Sequence, residues 1–136
     1  MSGVFKISEA ALLALHAMAF IADHLDRMVT TKEIATCHNA SEAHLSKVMQ
    51  RLVKAGMVKS VRGPGGGFVL EKKASDIALL DIYELFEGKL SNDNCLFSTP
   101  VCGGIDCIFG NLISELNSIT KKYLEKTKLS DTIHKK

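Results

Sequence analysis

Between positions 62 and 67 the chain reads Arg-Gly-Pro-Gly-Gly-Gly, four glycines and one proline in six residues. No helix can run through such a stretch, because proline lacks the N–H that a helix turn needs and each glycine adds a large entropy cost. On either side, Met57 to Val61 and Phe68 to Leu70 are short runs rich in β-branched and aromatic residues. The pattern predicts a two-stranded hairpin with a glycine-rich tip. A phosphate-binding loop is excluded, because the run lacks the Gly-Lys-Ser/Thr ending and joins two strands rather than a strand and a helix.

Upstream of the hairpin the chain is written at helical period. From Ser8 to about Asp26, Ala11, Leu12, Leu15, Met18, Ala19 and Ala22 recur on one broad face with no Pro or Gly between them. Thr30-Thr31-Lys32-Glu33 is the spacing of a capping box, so a short second helix begins there and runs to about Cys37. After the turn His38-Asn39-Ala40, Ser41 caps a third helix whose stripe is Leu45, Val48, Met49, Leu52 and Val53 and whose end is Ala55-Gly56.

A short helix, a tight turn and a second helix over residues 31 to 55 make a helix-turn-helix, which places its second helix in the major groove of DNA. With the stripe facing the core, Glu42, Ala43, His44, Ser46, Lys47, Gln50, Arg51 and Lys54 are left for the opposite side. The early positions face base edges, and Lys47, Arg51 and Lys54 reach phosphates. The candidate DNA-contacting set is Thr31, Ser41, Glu42, Ala43, His44, Ser46, Lys47 and Arg51, joined from the hairpin by Arg62, Gly63, Gly65 and Gly66. Glycines there permit close approach to the backbone, and Arg62 suits the narrow, electronegative minor groove. Charge agrees: the net +2 hides nine Lys or Arg against three Asp or Glu between residues 27 and 73.

Downstream, a helix is expected from about Leu79 to Phe86, closed by Gly88, then an irregular loop from Lys89 to Asp106. A long last helix follows on Ile108, Leu112, Leu116, Ile119 and Tyr123, ending near Lys126. Its stripe would be exposed in a monomer, which points to a homodimer. At 136 residues and 46% hydrophobic the chain carries one core plus an appendage. The division expected is a winged helix-turn-helix over 1–76 and a linking helix, cysteine loop and dimerisation helix over 77–136. The fold class expected is mainly α with a small β-hairpin wing. No run is long enough to span a membrane and the first residues lack a signal-peptide layout, so a cytoplasmic protein is expected. Asp81 and Glu84 lie one turn apart, but no nucleophile or histidine accompanies them, and an enzyme is not expected.

Of the four cysteines, Cys95, Cys102 and Cys107 are separated by six and four residues, while Cys37 stands apart and is expected to be a small buried residue. Three soft thiolates in a loop punctuated by Pro100, Gly103 and Gly104 suit an iron-sulfur cluster, zinc or copper(I), or thiol redox chemistry. None of the histidines, His16, His24, His38, His44 and His134, lies in that loop, so a fourth ligand must come from elsewhere.

The run Leu52 to Phe68, with Ile77 to Ile82, the glycine ending that helix, the cysteine loop and the last helix, resembles the Rrf2 family of bacterial winged-helix regulators over nearly the whole chain. The resemblance implies homodimers on pseudo-palindromic double-stranded DNA, with helix 41–55 in the major groove and Arg62 in the minor groove. It also implies a [2Fe-2S] or [4Fe-4S] cluster on Cys95, Cys102 and Cys107. Where the iron-sulfur regulators of the family use a histidine three residues after the last cysteine, this chain has Gly110. Where its nitric-oxide sensors use a carboxylate from the partner's first helix, it has Glu9. The family's Tyr-Leu pair in the recognition helix is His44-Leu45 here. The expected function is a DNA-binding regulator, a repressor, sensing iron-sulfur, redox or nitric-oxide status. Two alternatives stay open: a cluster-free regulator controlled by thiol oxidation or a partner protein, and a winged-helix protein-interaction module.

Overall fold

Ser8 opens the first helix by accepting the Ala11 N–H on its hydroxyl at 3.1 Å. The computed structural model describes residues 7–90, 95–97, 99, 101 and 107–133. In chain order these form α1 (Glu9–Asp23), α2 (Thr31–Cys37), α3 (Glu42–Lys54), β1 (Val58–Val61), β2 (Gly67–Leu70), a 3-10 turn (Ala74–Asp76), α4 (Leu79–Glu87), α5 (Leu112–Lys126) and a closing 3-10 turn (Leu129–Thr132). The architecture is mainly helical, with one antiparallel hairpin paired Val58 to Leu70 through Val61 to Gly67.

Alanines Ala11, Ala14 and Ala17 are fully buried on α1, and their small side chains let α3 and α4 pack closely against it. The helix stops at Asp23, three residues before the expected end. There the His24 N–H turns back to the Ile21 carbonyl, and the chain bends toward Val29. Val29 exchanges backbone hydrogen bonds with Phe68 at 2.7 and 3.1 Å, which ties the connection between α1 and α2 to the second strand of the hairpin.

The capping box on α2 forms as its spacing predicts: Glu33 N–H donates to the Thr30 hydroxyl and Thr30 N–H to the Glu33 carboxylate. The Thr30 N–H and the Arg27 guanidinium, 2.7 Å away, hold the Glu33 carboxyl below its ordinary range. On α3, Leu45, Val48, Met49 and Leu52 are buried as the stripe requires, and Gly56, at φ +77, ends the helix in the left-handed conformation.

Two features differ from the expected layout. Helix α5 begins at Leu112 rather than at Ile108, because Cys107 to Gly110 is a tight turn closed by the Gly110 N–H on the Cys107 carbonyl at 2.9 Å. The closing 3-10 turn returns to the core: Leu129 is fully buried, and its N–H donates to the Ile77 carbonyl at 2.8 Å. Burial of such a side chain contributes roughly 1.5–3 kcal/mol. Ile77, Ile82 and Leu129 share one hydrophobic cluster with Met18, Ile21 and Met49, so the core crosses the boundary expected at Asp76.

Candidate nucleic-acid interface

Residues four and three apart on a helix share a face, and Ser46, Gln50 and Val53 are so spaced on α3. With Thr31 at the start of α2, Ser60 and Arg62 of the hairpin, and Phe68 across from Ser60, they line one groove of about 340 Å³. Ser60 and Arg62 are two residues apart on the ribbon and therefore point to the same side. The groove brings together Thr31, Ser46 and Arg62 of the expected set. It adds Gln50, Val53, Ser60 and Phe68, which that set lacked. The signals for these were the helical spacing from Ser46 and the strand alternation from Arg62, but joining them requires knowing how the hairpin lies against α3.

Lys47 and Lys54 are exposed on the outward face, with Glu42 and Ala43 exposed in the first turn and His44 half-buried. The Ser41 hydroxyl is engaged in capping, accepting the His44 N–H at 3.3 Å. At the hairpin tip Gly63 and Gly65 are exposed, while Gly66 N–H donates to the Gly63 carbonyl at 2.8 Å. A Cβ at Gly66 would run into the Val61 carbonyl, so the tip needs glycine there.

The structure places Arg51, expected at phosphate, beside α4. It follows Gln50 and is rotated about 100° round the helix, away from the groove. Its guanidinium donates to the Leu85 carbonyl at 2.6 Å and lies 4.3 Å over the Phe86 ring.

The cysteines are placed in part. Cys95 and Cys107 are free and half-buried, and Cys102 lies outside the described residues. Cys37 is exposed, contrary to expectation: α2 buries Ile34 and Ala35, and Cys37 at its last position falls outside that arc. Glu9 is exposed in the first turn of α1. Among the described residues no three His, Cys, Asp or Glu side chains gather as a metal site. Between α1 and the end of α2, the rings of His16 and His38 lie 5.4 Å apart, and Phe20 stacks on His24. Although His16 is exposed overall, partial desolvation of its ring first, and His38 second, push it below its ordinary value.

A helix-turn-helix with a basic outward face, flanked by a glycine-tipped hairpin that shares a groove with the second helix, defines a winged helix-turn-helix DNA-binding protein. The profile of the Rrf2 family, described as iron-dependent transcriptional regulator, matches residues 7–135. A protein of Aquifex aeolicus with the general name of an HTH-type transcriptional regulator is 36% identical over 130 residues, covering 93% of this chain and 90% of its own. Among solved structures, that of CymR, the global cysteine regulator of B. subtilis, is similar at a TM-score of 0.79 and 29% identity, covering 94% of this chain and 95% of its own. T. potens IscR is similar at a TM-score of 0.72 and 27% identity, covering 94% and 85%. The chain belongs to the Rrf2 family of DNA-binding transcriptional regulators. No described helix is long and apolar enough to cross a membrane.

Proposed function

We propose that this regulator is a homodimeric repressor of a pseudo-palindromic operator, and that Cys95, Cys102 and Cys107 hold an iron-sulfur cluster whose state sets its affinity for DNA. The observation that carries the sensing is the donor set. Three thiols fall within thirteen residues between α4 and α5, and both of the described ones are free and half-buried. Three soft thiolates at this spacing fit an iron-sulfur cluster by their chemistry. When bound, such a group supplies a centre that responds to redox state or nitric oxide. Glu9, exposed at the start of α1, is the candidate fourth ligand across the dimer, since Gly110 cannot supply one. DNA contact is assigned to Thr31, Ser46, Lys47, Gln50 and Lys54 on the helix-turn-helix and to Ser60 and Arg62 on the hairpin, with Glu42, Ala43 and His44 at base edges.

The test is the visible absorption of protein purified without oxygen, together with its iron and acid-labile sulfide. Broad absorption with stoichiometric iron and sulfide, lost in Cys102→Ala, is expected, as is unequal operator affinity of cluster-loaded and cluster-free protein in gel shift. Colourless protein after anaerobic reconstitution overturns the cluster. One observation favours a second reading, in which the thiols are oxidised directly or a partner protein gives the signal: the similarity to CymR, named a cysteine regulator, extends over nearly the whole of both chains. Mass spectrometry separates the two, by a disulfide among the loop cysteines against bound iron.

A further inference from the structure

We infer that Arg51 is a positioning residue, fixing the angle of the recognition helix by clamping α3 to the last turn of α4. Four consecutive residues of that turn hold three different parts of the molecule. The Glu84 carboxylate accepts the Leu90 N–H at 2.9 Å, which pins the chain where it leaves α4 toward Cys95. The Leu85 carbonyl accepts from the Arg51 guanidinium at 2.6 Å, and the Phe86 ring lies under the same group at 4.3 Å. The Glu87 carboxylate accepts the Ser8 N–H at 2.9 Å, at the start of α1. The beginning of α1, the last turn of α3 and the root of the cysteine loop thus meet on one helical turn.

Arg51 is the α3 residue in that set, and its planar, forked group meets both demands at once, an acceptor in line and a ring face beneath. A lysine in its place keeps the charge but has neither the fork nor the flat face. Phosphate contact and clamping therefore predict opposite behaviour for the conservative variant. The inference rests on α3 being the recognition helix.

The experiment compares the wild type with Arg51→Lys, Arg51→Met, Phe86→Leu and Lys47→Ala. Binding is measured to a duplex selected by the wild-type protein from a random-sequence library and to an unrelated duplex, over a range of salt, with a thermal melt of each variant. The clamp predicts that both Arg51 variants and Phe86→Leu lower the ratio of specific to non-specific affinity by about tenfold, the size of one lost charged hydrogen bond. The slope of log affinity against log salt stays unchanged. Phe86→Leu added to Arg51→Met costs little more, because the two act as one contact. If Arg51→Lys binds like the wild type while Arg51→Met flattens the salt slope by about 0.9, Arg51 is a phosphate contact and the clamp is overturned. If the ratio stays at its wild-type value and only the melting temperature falls, the contact is structural and the inference fails. Lys47→Ala guards the premise: a salt slope unchanged by it would show that α3 is not the element on DNA, a failure separate from that of the clamp.

Discussion

Thr30 and Ser41 each begin a helix by lending a hydroxyl to backbone N–H groups that the first turn cannot satisfy. Thr30 does more, because Glu33 returns a carboxylate to its N–H and pairs with Arg27. Thr30→Ala should therefore lower unfolding free energy by about 1 kcal/mol, read as a shift in urea midpoint with unchanged slope. His16 makes a prediction about acidity. Partial desolvation of the ring, and His38 beside it, lower its pKa from its ordinary value, so the unfolded chain binds this proton more readily than the folded one. Stability from this ring is complete above about pH 6.5 and is lost as pH falls through the lower folded value. The melting temperature of the wild type should drop more than that of His16→Gln on acidification from about pH 7.5 to 5. Parallel curves would show that the ring does not titrate differently on folding.

At the scale of elements, what the sequence revealed and what it concealed follow one rule. The glycine run announced the hairpin, and Thr30 with Glu33 announced α2, because both are fixed by neighbours within a few residues. The spacing of Leu45, Val48, Met49 and Leu52 likewise announced the inward face of α3. The groove was not legible, since it needs Phe68 hydrogen-bonded to Val29 to bring the hairpin against α3. Nor were the Arg51 contact with Leu85, 34 residues away, or the return of Leu129 to the core. The periodic stripe also overran the true start of α5, because Ile108 fits a helical repeat even inside a turn. Two variants test the hairpin. Gly66→Ala forces the tip open against the Val61 carbonyl, a local strain of about 1–3 kcal/mol, and should weaken DNA binding while far-ultraviolet dichroism holds. Arg62→Ala should cost about 1–3 kcal/mol on the selected duplex, and more when a narrow A·T-rich minor groove lies under the hairpin. Equal loss on wide-groove sequences would place Arg62 on phosphate alone.

For the whole molecule the decisive surface is α5. Only Leu124 of that helix is fully sheltered, whereas Leu112, Leu116, Ile119 and Tyr123 are exposed, the last two to 65% and 64%. These four recur every three or four residues, so they form one continuous apolar stripe rather than scattered exposed side chains. A second copy laid along the stripe would bury it and set two α3 helices to face successive major grooves, about one helical turn of DNA apart. Leu116→Glu with Ile119→Glu places two charges in that seam without touching the core cluster around Met18 and Leu129. The variant should sediment as a monomer, and its melting temperature should no longer rise with protein concentration, as it must for a dimer that dissociates on unfolding. Binding to an isolated half-site should persist while affinity for the full palindrome falls to the half-site value, because the second recognition helix is no longer delivered by the first. A wild-type protein already monomeric at micromolar concentration, or a charged variant that still dimerises, would show that the α5 stripe is not a seam between two copies.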